Sequence, residues 1–197
     1  QYYPDYEIVA FDKNKETLAL ATQESIIDVA ATTIDDNFHH CSYIFLCAPV
    51  SYNTAYLKQI KGYLHDGCIL TDVGSVKTNI HREVEALGIE PYFIGGHPMA
   101  GSEKSGYSNA KAMLIENAYY VLTPTSKVPR EKIDNYVNFV RDLRAIPIIL
   151  DYQEHDQVTG TISHLPHIIA SSLVNFVRDT DTKDELMKNL AAGGFKD

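Results

Sequence analysis

An α/β fold with a mainly parallel sheet is the class this sequence predicts, on three observations. Short apolar runs recur along the first 150 residues, and most are closed by proline, glycine or aspartate. The clearest of them, Ser42-Tyr43-Ile44-Phe45-Leu46-Cys47-Ala48-Pro49-Val50, is almost wholly apolar, as a strand buried on both faces of a parallel sheet requires. Between the runs lie helix-like segments joined by short connections.

Composition bounds the possibilities. A chain of 197 residues with 45% hydrophobic and 22% charged residues has ordinary globular make-up and length enough for a sizeable core. Its net charge of -9 argues against a nucleic-acid or anionic-membrane partner. No run approaches the roughly 18 apolar residues of a membrane span, and no signal-peptide pattern appears. Cys41, Cys47 and Cys68 sit in or beside apolar runs without a CxxC pair. We therefore expect reduced, buried thiols, a cytoplasmic location and no metal site.

Taken in order, residues 7–12 form a short apolar run ending in Asp12, followed by a helix over 15–21. In a dinucleotide-binding fold, an acid at such a strand end accepts from the adenosine ribose hydroxyls and repels a 2′-phosphate, favouring NAD. An aspartate opening a helix fits the position equally well. Residues 26–30 make a brief strand or connection, and the run at 42–50 leads into a helix over 52–64. A strand at 67–73 precedes Gly74-Ser75-Val76-Lys77 and a helix over 78–87, with Gly88 as its stop. Further strands follow at 93–98, 118–124 and 147–150. The segment 130–143 spaces Ile133, Tyr136, Val137, Val140 and Leu143 as an amphipathic helix does. From residue 151 the pattern turns helical, over 152–162, 166–177 and 183–190. We expect two domains, 1–150 and 151–197, packed directly without a flexible linker.

Three loops carry the candidate chemistry: Cys47-Ala48-Pro49, Asp72 to Lys77, and Gly95-Gly96-His97-Pro98. In a parallel sheet they share one edge, where ligands bind. Ser75, Lys77 and His97 would then face one small molecule, with His97 able to take a proton near neutral pH. Lys77 as an ordinary helix-start residue, and His97 as a hydrogen-bonded turn histidine, are the plainer alternatives. Ser163-His164-Leu165-Pro166-His167 places two histidines three apart at a helix start, where Pro166 suits the first turn. An anion site explains them better than a metal. His155 could add to that polar wall or simply be solvated.

Four motifs in order resemble the prephenate dehydrogenases of tyrosine biosynthesis over essentially the whole chain. They are Gly74-Ser75-Val76-Lys77, the stretch from Gly95 to Gly106, Ser163 to His167, and Gly193-Gly194-Phe195-Lys196-Asp197. The resemblance implies a Rossmann-like nucleotide domain, then a helical domain that builds a homodimer. It implies NAD as cofactor and oxidative decarboxylation of prephenate to 4-hydroxyphenylpyruvate and CO₂. His97 would accept the hydroxyl proton with Ser75 assisting. His167, His164, Glu103, His155 and Lys196 would contact substrate, and Asp12, Cys47, Ala48, Pro49 and Asp72 the cofactor. The family's GxGxxG loop and first strand would precede Gln1, and its substrate-binding arginine would follow Asp197. Both domains are thus expected to be incomplete here, and the 197 residues alone to turn over little. Arogenate dehydrogenase and a non-catalytic nucleotide-fold module are the alternatives.

Overall fold

The computed structural model describes residues 5–101 and 106–196. Its strands form three ladders. β1 (Val9–Phe11) pairs in parallel with β2 (Val29–Ala31), and β3 (Tyr43–Leu46) in parallel with β4 (Ile69–Asp72). β5 (Ile94–Pro98), β6 (Tyr119–Pro124) and β7 (Ile146–Ile149) make the third ladder. A parallel bridge between Leu70 and Phe93 joins β5 to β4. β3, β4 and β5 therefore run the same way, and the loops leaving their carboxyl ends lie along one edge.

One pair departs from the parallel pattern. β5 and β6 are antiparallel, with His97 opposite Val121, whereas β6 and β7 are parallel. The reason lies in the connection. A parallel return needs a crossover, usually a helix. The described residues between β5 and β6 contribute only the short 3-10 turns Tyr107–Asn109 and Ala112–Leu114.

Helices cover both faces. α1 (Lys15–Gln23) is capped by Asn14, whose side chain accepts from Glu16 N and Thr17 N. α2 (Val50–Ile60) and α4 (Arg130–Asp142) each follow a proline whose fixed φ leads into the helix. α3 (Thr78–Leu87) ends at Gly88, whose φ of 68° provides the left-handed cap the sequence predicts. Strand alternation then divides the core. Ile44, Leu46, Leu70 and Phe93 pack with Leu57 of α2 and with Ile80 and Val84 of α3. Ile69, Ile94, Tyr120 and Leu122 point the other way, onto Tyr136 and Val140 of α4. Leu18 and Ala21 of α1 close a smaller cluster with Ile27.

By internal contacts the chain divides into residues 1–155 and 156–197. Helical backbone runs without a break from Tyr152 to Thr180: α5 (Tyr152–Thr159), a π turn at Gly160–His164, then α6 (Leu165–Thr180). The sequence predicts a helix start at Pro166. Instead the helix changes hydrogen-bond register just ahead of the proline, with Leu165 N–H reaching Gly160 O. A register change there accommodates the N–H that proline lacks. α7 (Leu186–Leu190) and α8 (Gly193–Lys196) follow.

Candidate active site

The carboxyl ends of β4 and β5 are tied together by buried charge. Asp72 closes β4 at 1% exposure and forms an ion pair with Lys77, which is fully buried. Lys77 Nζ also donates to Gly96 O at 2.7 Å, while Asp72 accepts from Gly74 N at 2.9 Å and Gly96 N at 3.3 Å. Lys77 does stand at the start of α3, but buried, with its ammonium directed to Asp72 and Gly96 O. Asp72, expected among the cofactor contacts, is buried at the carboxyl end of β4, where its carboxylate accepts from Lys77, Gly74 and Gly96. Removing one partner would strand the other charge in the interior, a loss of about 3–5 kcal/mol.

The Gly95-Gly96 pair is demanded by packing on both faces of β5. A Cβ on Gly95 would run into Thr123 Oγ1 and come within 3.2 Å of His81 Nε2. Over that bare backbone His81 Nε2 meets Thr123 Oγ1 at 2.9 Å. A Cβ on Gly96 would face the opposite side, 2.5 Å from the Asp72 carbonyl oxygen. There Tyr136 OH lies 3.0 Å from Thr71 Oγ1 and 3.1 Å from Tyr120 OH. Burial pushes the Tyr120 phenol up to about 12, and burial followed by the nearby Tyr120 holds Tyr136 well above its usual range.

His97 stands at the end of this strand, half-buried. Its Nδ1 lies 2.8 Å from Nε2 of His155, one turn into α5. The rings meet edge to face, centroids 5.1 Å apart at 72°. His155 is 1% exposed, so it is not solvated, and its ring faces His97. Tyr152, one turn earlier, stacks on His81 with centroids 4.4 Å apart and planes 12° from parallel. The start of α5 is thereby tied to α3 and, through Thr123, to β6.

The remaining sequence candidates occupy several places. Ser75 is exposed on the turn between β4 and α3, along the same sheet edge as His97. Cys47, Ala48 and Pro49 line the neighbouring turn after β3, where Cys47 is exposed rather than buried as expected. Asp12 is exposed just past β1 and accepts from Asn14 N at 2.7 Å, bracing the helix start that Asn14 itself caps. His164 and His167 belong to the 156–197 unit, the former partly buried and the latter exposed. Because the helix runs through them, they lie at no open helix N-terminus, and no helix dipole makes an anion site there, contrary to the expectation from sequence. Glu103 lies outside the described residues, and Lys196 closes α8. Among the described residues no group of three or more His, Cys, Asp or Glu is placed to hold a metal. No described helix is long and apolar enough to cross a membrane.

Known proteins share this arrangement. The family model for the prephenate dehydrogenase nucleotide-binding domain matches residues 1–149, and that for the prephenate dehydrogenase dimerization domain matches 151–197. The chain belongs to the prephenate dehydrogenase family. A prephenate dehydrogenase of Lactococcus lactis is 43% identical over 99% of this chain and 53% of its own length. One of Bacillus subtilis is 34% identical with the same coverage. The chain thus spans about half the length of the curated relatives it matches. The Aquifex aeolicus prephenate dehydrogenase, solved with hydroxyphenyl propionate and NAD+, superposes at a TM-score of 0.91 with 30% identity. That match covers 99% of this chain and 68% of the other. An arogenate dehydrogenase of Synechocystis gives a TM-score of 0.85, also at 30% identity, over 98% of this chain and 69% of its own.

As a member of the prephenate dehydrogenase family, the chain has a Rossmann-like nucleotide-binding region followed by a helical one. Sequence reasoning missed His81 and Thr123, which pack beside Gly95, and Tyr152, which with them ties the start of α5 to the sheet. Their signal is weak, because each has an ordinary place on a helix or strand and becomes significant only once the fold brings them together over Gly95.

Proposed function

We propose that the protein is an NAD-dependent dehydrogenase that converts prephenate to 4-hydroxyphenylpyruvate and CO₂. The observation that carries this reading is His97. It stands at the carboxyl end of β5 beside the β3 and β4 loops, its Nδ1 held by His155. This is where open α/β sheets bind ligands. The hydroxyl-bearing ring carbon gives up hydride while its hydroxyl gives up a proton. The ring carboxylate then departs as CO₂, with its bonding electrons moving onto the ring oxygen. The proton returns to that phenolate oxygen, so no net proton is released. Aromatisation makes the loss of CO₂ strongly favourable.

The chain's residues divide the work. His97 accepts the hydroxyl proton, with Ser75 assisting on the adjacent turn. His164 and His167, with Glu103 and Lys196, contribute substrate contacts. The turn Cys47-Ala48-Pro49, with Cys47 and Pro49 exposed, and the exposed Asp12, whose carboxylate suits ribose hydroxyls, would hold NAD. When bound, NAD supplies the hydride acceptor. The carboxylate at Asp12 favours it over a cofactor with a 2′-phosphate. Leu165, Ile168, Ile169, Leu173 and Phe176 recur at helical spacing on α6 and are 49% to 66% exposed. With the dimerization-domain match, this supports a homodimer. Three free cysteines support a cytoplasmic location.

Arogenate, in which an amine replaces the side-chain keto group, is the second reading, favoured by the Synechocystis likeness. NADH formation by the full-length protein, followed with prephenate and with arogenate, separates them. His97→Asn is expected to lower kcat by about 10²- to 10⁴-fold. An unchanged rate would remove His97 from the chemistry.

A further inference from the structure

Proton acceptance by His97 needs one particular tautomer, and His155 lies within hydrogen-bond reach of the nitrogen that decides it. We propose that His155 is a positioning residue that holds His97 as the Nδ1–H tautomer, leaving the Nε2 lone pair to take the substrate proton. The inference rests on the reading of His97 as the base.

Two neutral imidazoles joined through Nδ1 of one and Nε2 of the other, 2.8 Å apart, share one hydrogen. If His155 donates, His97 accepts at Nδ1 and must carry its own hydrogen on Nε2. In that state Nε2 is a donor with no free lone pair, and the proton cannot be taken there. If His97 donates, Nε2 keeps its lone pair. Proton uptake then leaves Nδ1–H in place and converts a neutral hydrogen bond into a charge-assisted one, roughly twice as strong. The gain appears only as the proton arrives, so it favours the transition state over the resting enzyme.

The partner is built to stay put. His155 is 1% exposed, and its backbone N–H donates to Asp151 O at 2.9 Å. Asp151 Oδ1 caps the same turn, accepting from Gln153 N at 2.8 Å. Tyr152 is stacked on His81, which bonds to Thr123 of β6, the strand paired with the one that carries His97. Both imidazoles are therefore referred to a single β-ladder.

The test uses the full-length protein with His155→Leu, which removes the acceptor, and His155→Gln, whose amide can replace it. In His155→Leu, kcat with prephenate is expected to fall on the order of 10- to 100-fold while KM for prephenate and NAD changes by less than about twofold. His155→Gln should recover most of that loss. Nitrogen-15 histidine spectra, assigned with His97→Asn, should show His97 as Nδ1–H in the native protein and moved toward Nε2–H in His155→Leu. A raised KM at unchanged kcat, or equal losses in the two variants, would overturn the proposal. So would a native spectrum showing His97 as Nε2–H, a result available even if the variants fail to fold. An unchanged rate in His97→Asn would instead overturn the reading on which this one rests, whatever the spectra show.

Discussion

A Cβ at Gly96 would stand 2.5 Å from a backbone oxygen, with Thr71 Oγ1 and Tyr120 Cε1 each at 3.1 Å. Backbone cannot swing aside as a side-chain tip can, so β5 itself would have to move, carrying His97 with it. Gly96→Ala is expected to destabilise by about 1–3 kcal/mol, the usual cost of overpacking. It should also lower kcat. A methyl group on Gly62 would meet nothing within 4 Å, so Gly62→Ala should change stability by no more than about 0.5 kcal/mol. Thermal unfolding of the two variants checks the contrast, and equal melting temperatures would contradict it. The sequence shows two adjacent glycines before a histidine. It does not show that one clears space for Thr123 and His81 and the other for Asp72.

At the scale of an element, α4 is fastened to the sheet through phenols. Tyr136 of α4 reaches Thr71 of β4 and Tyr120 of β6, all buried. The Tyr120 phenol titrates near 12 in the folded chain, raised by burial from its ordinary value near 10. The sign follows from linkage: a raised folded value means that stability is whole below about pH 10 and is lost as pH rises from there through about 12. Denaturant midpoints measured from about pH 9 to 11.5 should fall over the upper part of that range. A flat profile would mean that these phenols ionise without leaving the core. The spacing of α4 was legible in the sequence because its apolar positions recur every three or four residues. The unbroken run from α5 into α6 was not, since a proline reads as a helix start until a π turn is seen ahead of it.

On the scale of the whole molecule, the 156–197 unit displays an apolar stripe on α6. Leu173 and Phe176 are 54% and 66% exposed. If that stripe is covered by a second copy, a charge in its middle should prevent association. Leu173→Glu in the full-length protein is expected to shift the species seen by light scattering from dimer toward monomer. A variant that stays dimeric would place the contact elsewhere.

The sequence by itself determined the α/β class, the strand and helix order, most helix ends, and the family through motifs whose residues are chemically constrained wherever they occur. Those features are local: apolar period, capping residues and short fixed patterns depend on neighbours along the chain. What tertiary structure decided was partnership. It joined Lys77 to Asp72 as a buried ion pair, reversed β6 against β5, and brought His155 to His97 across 58 positions. A hydrogen bond or an ion pair depends on distance in space, which residue types along a chain leave open until the sheet has folded.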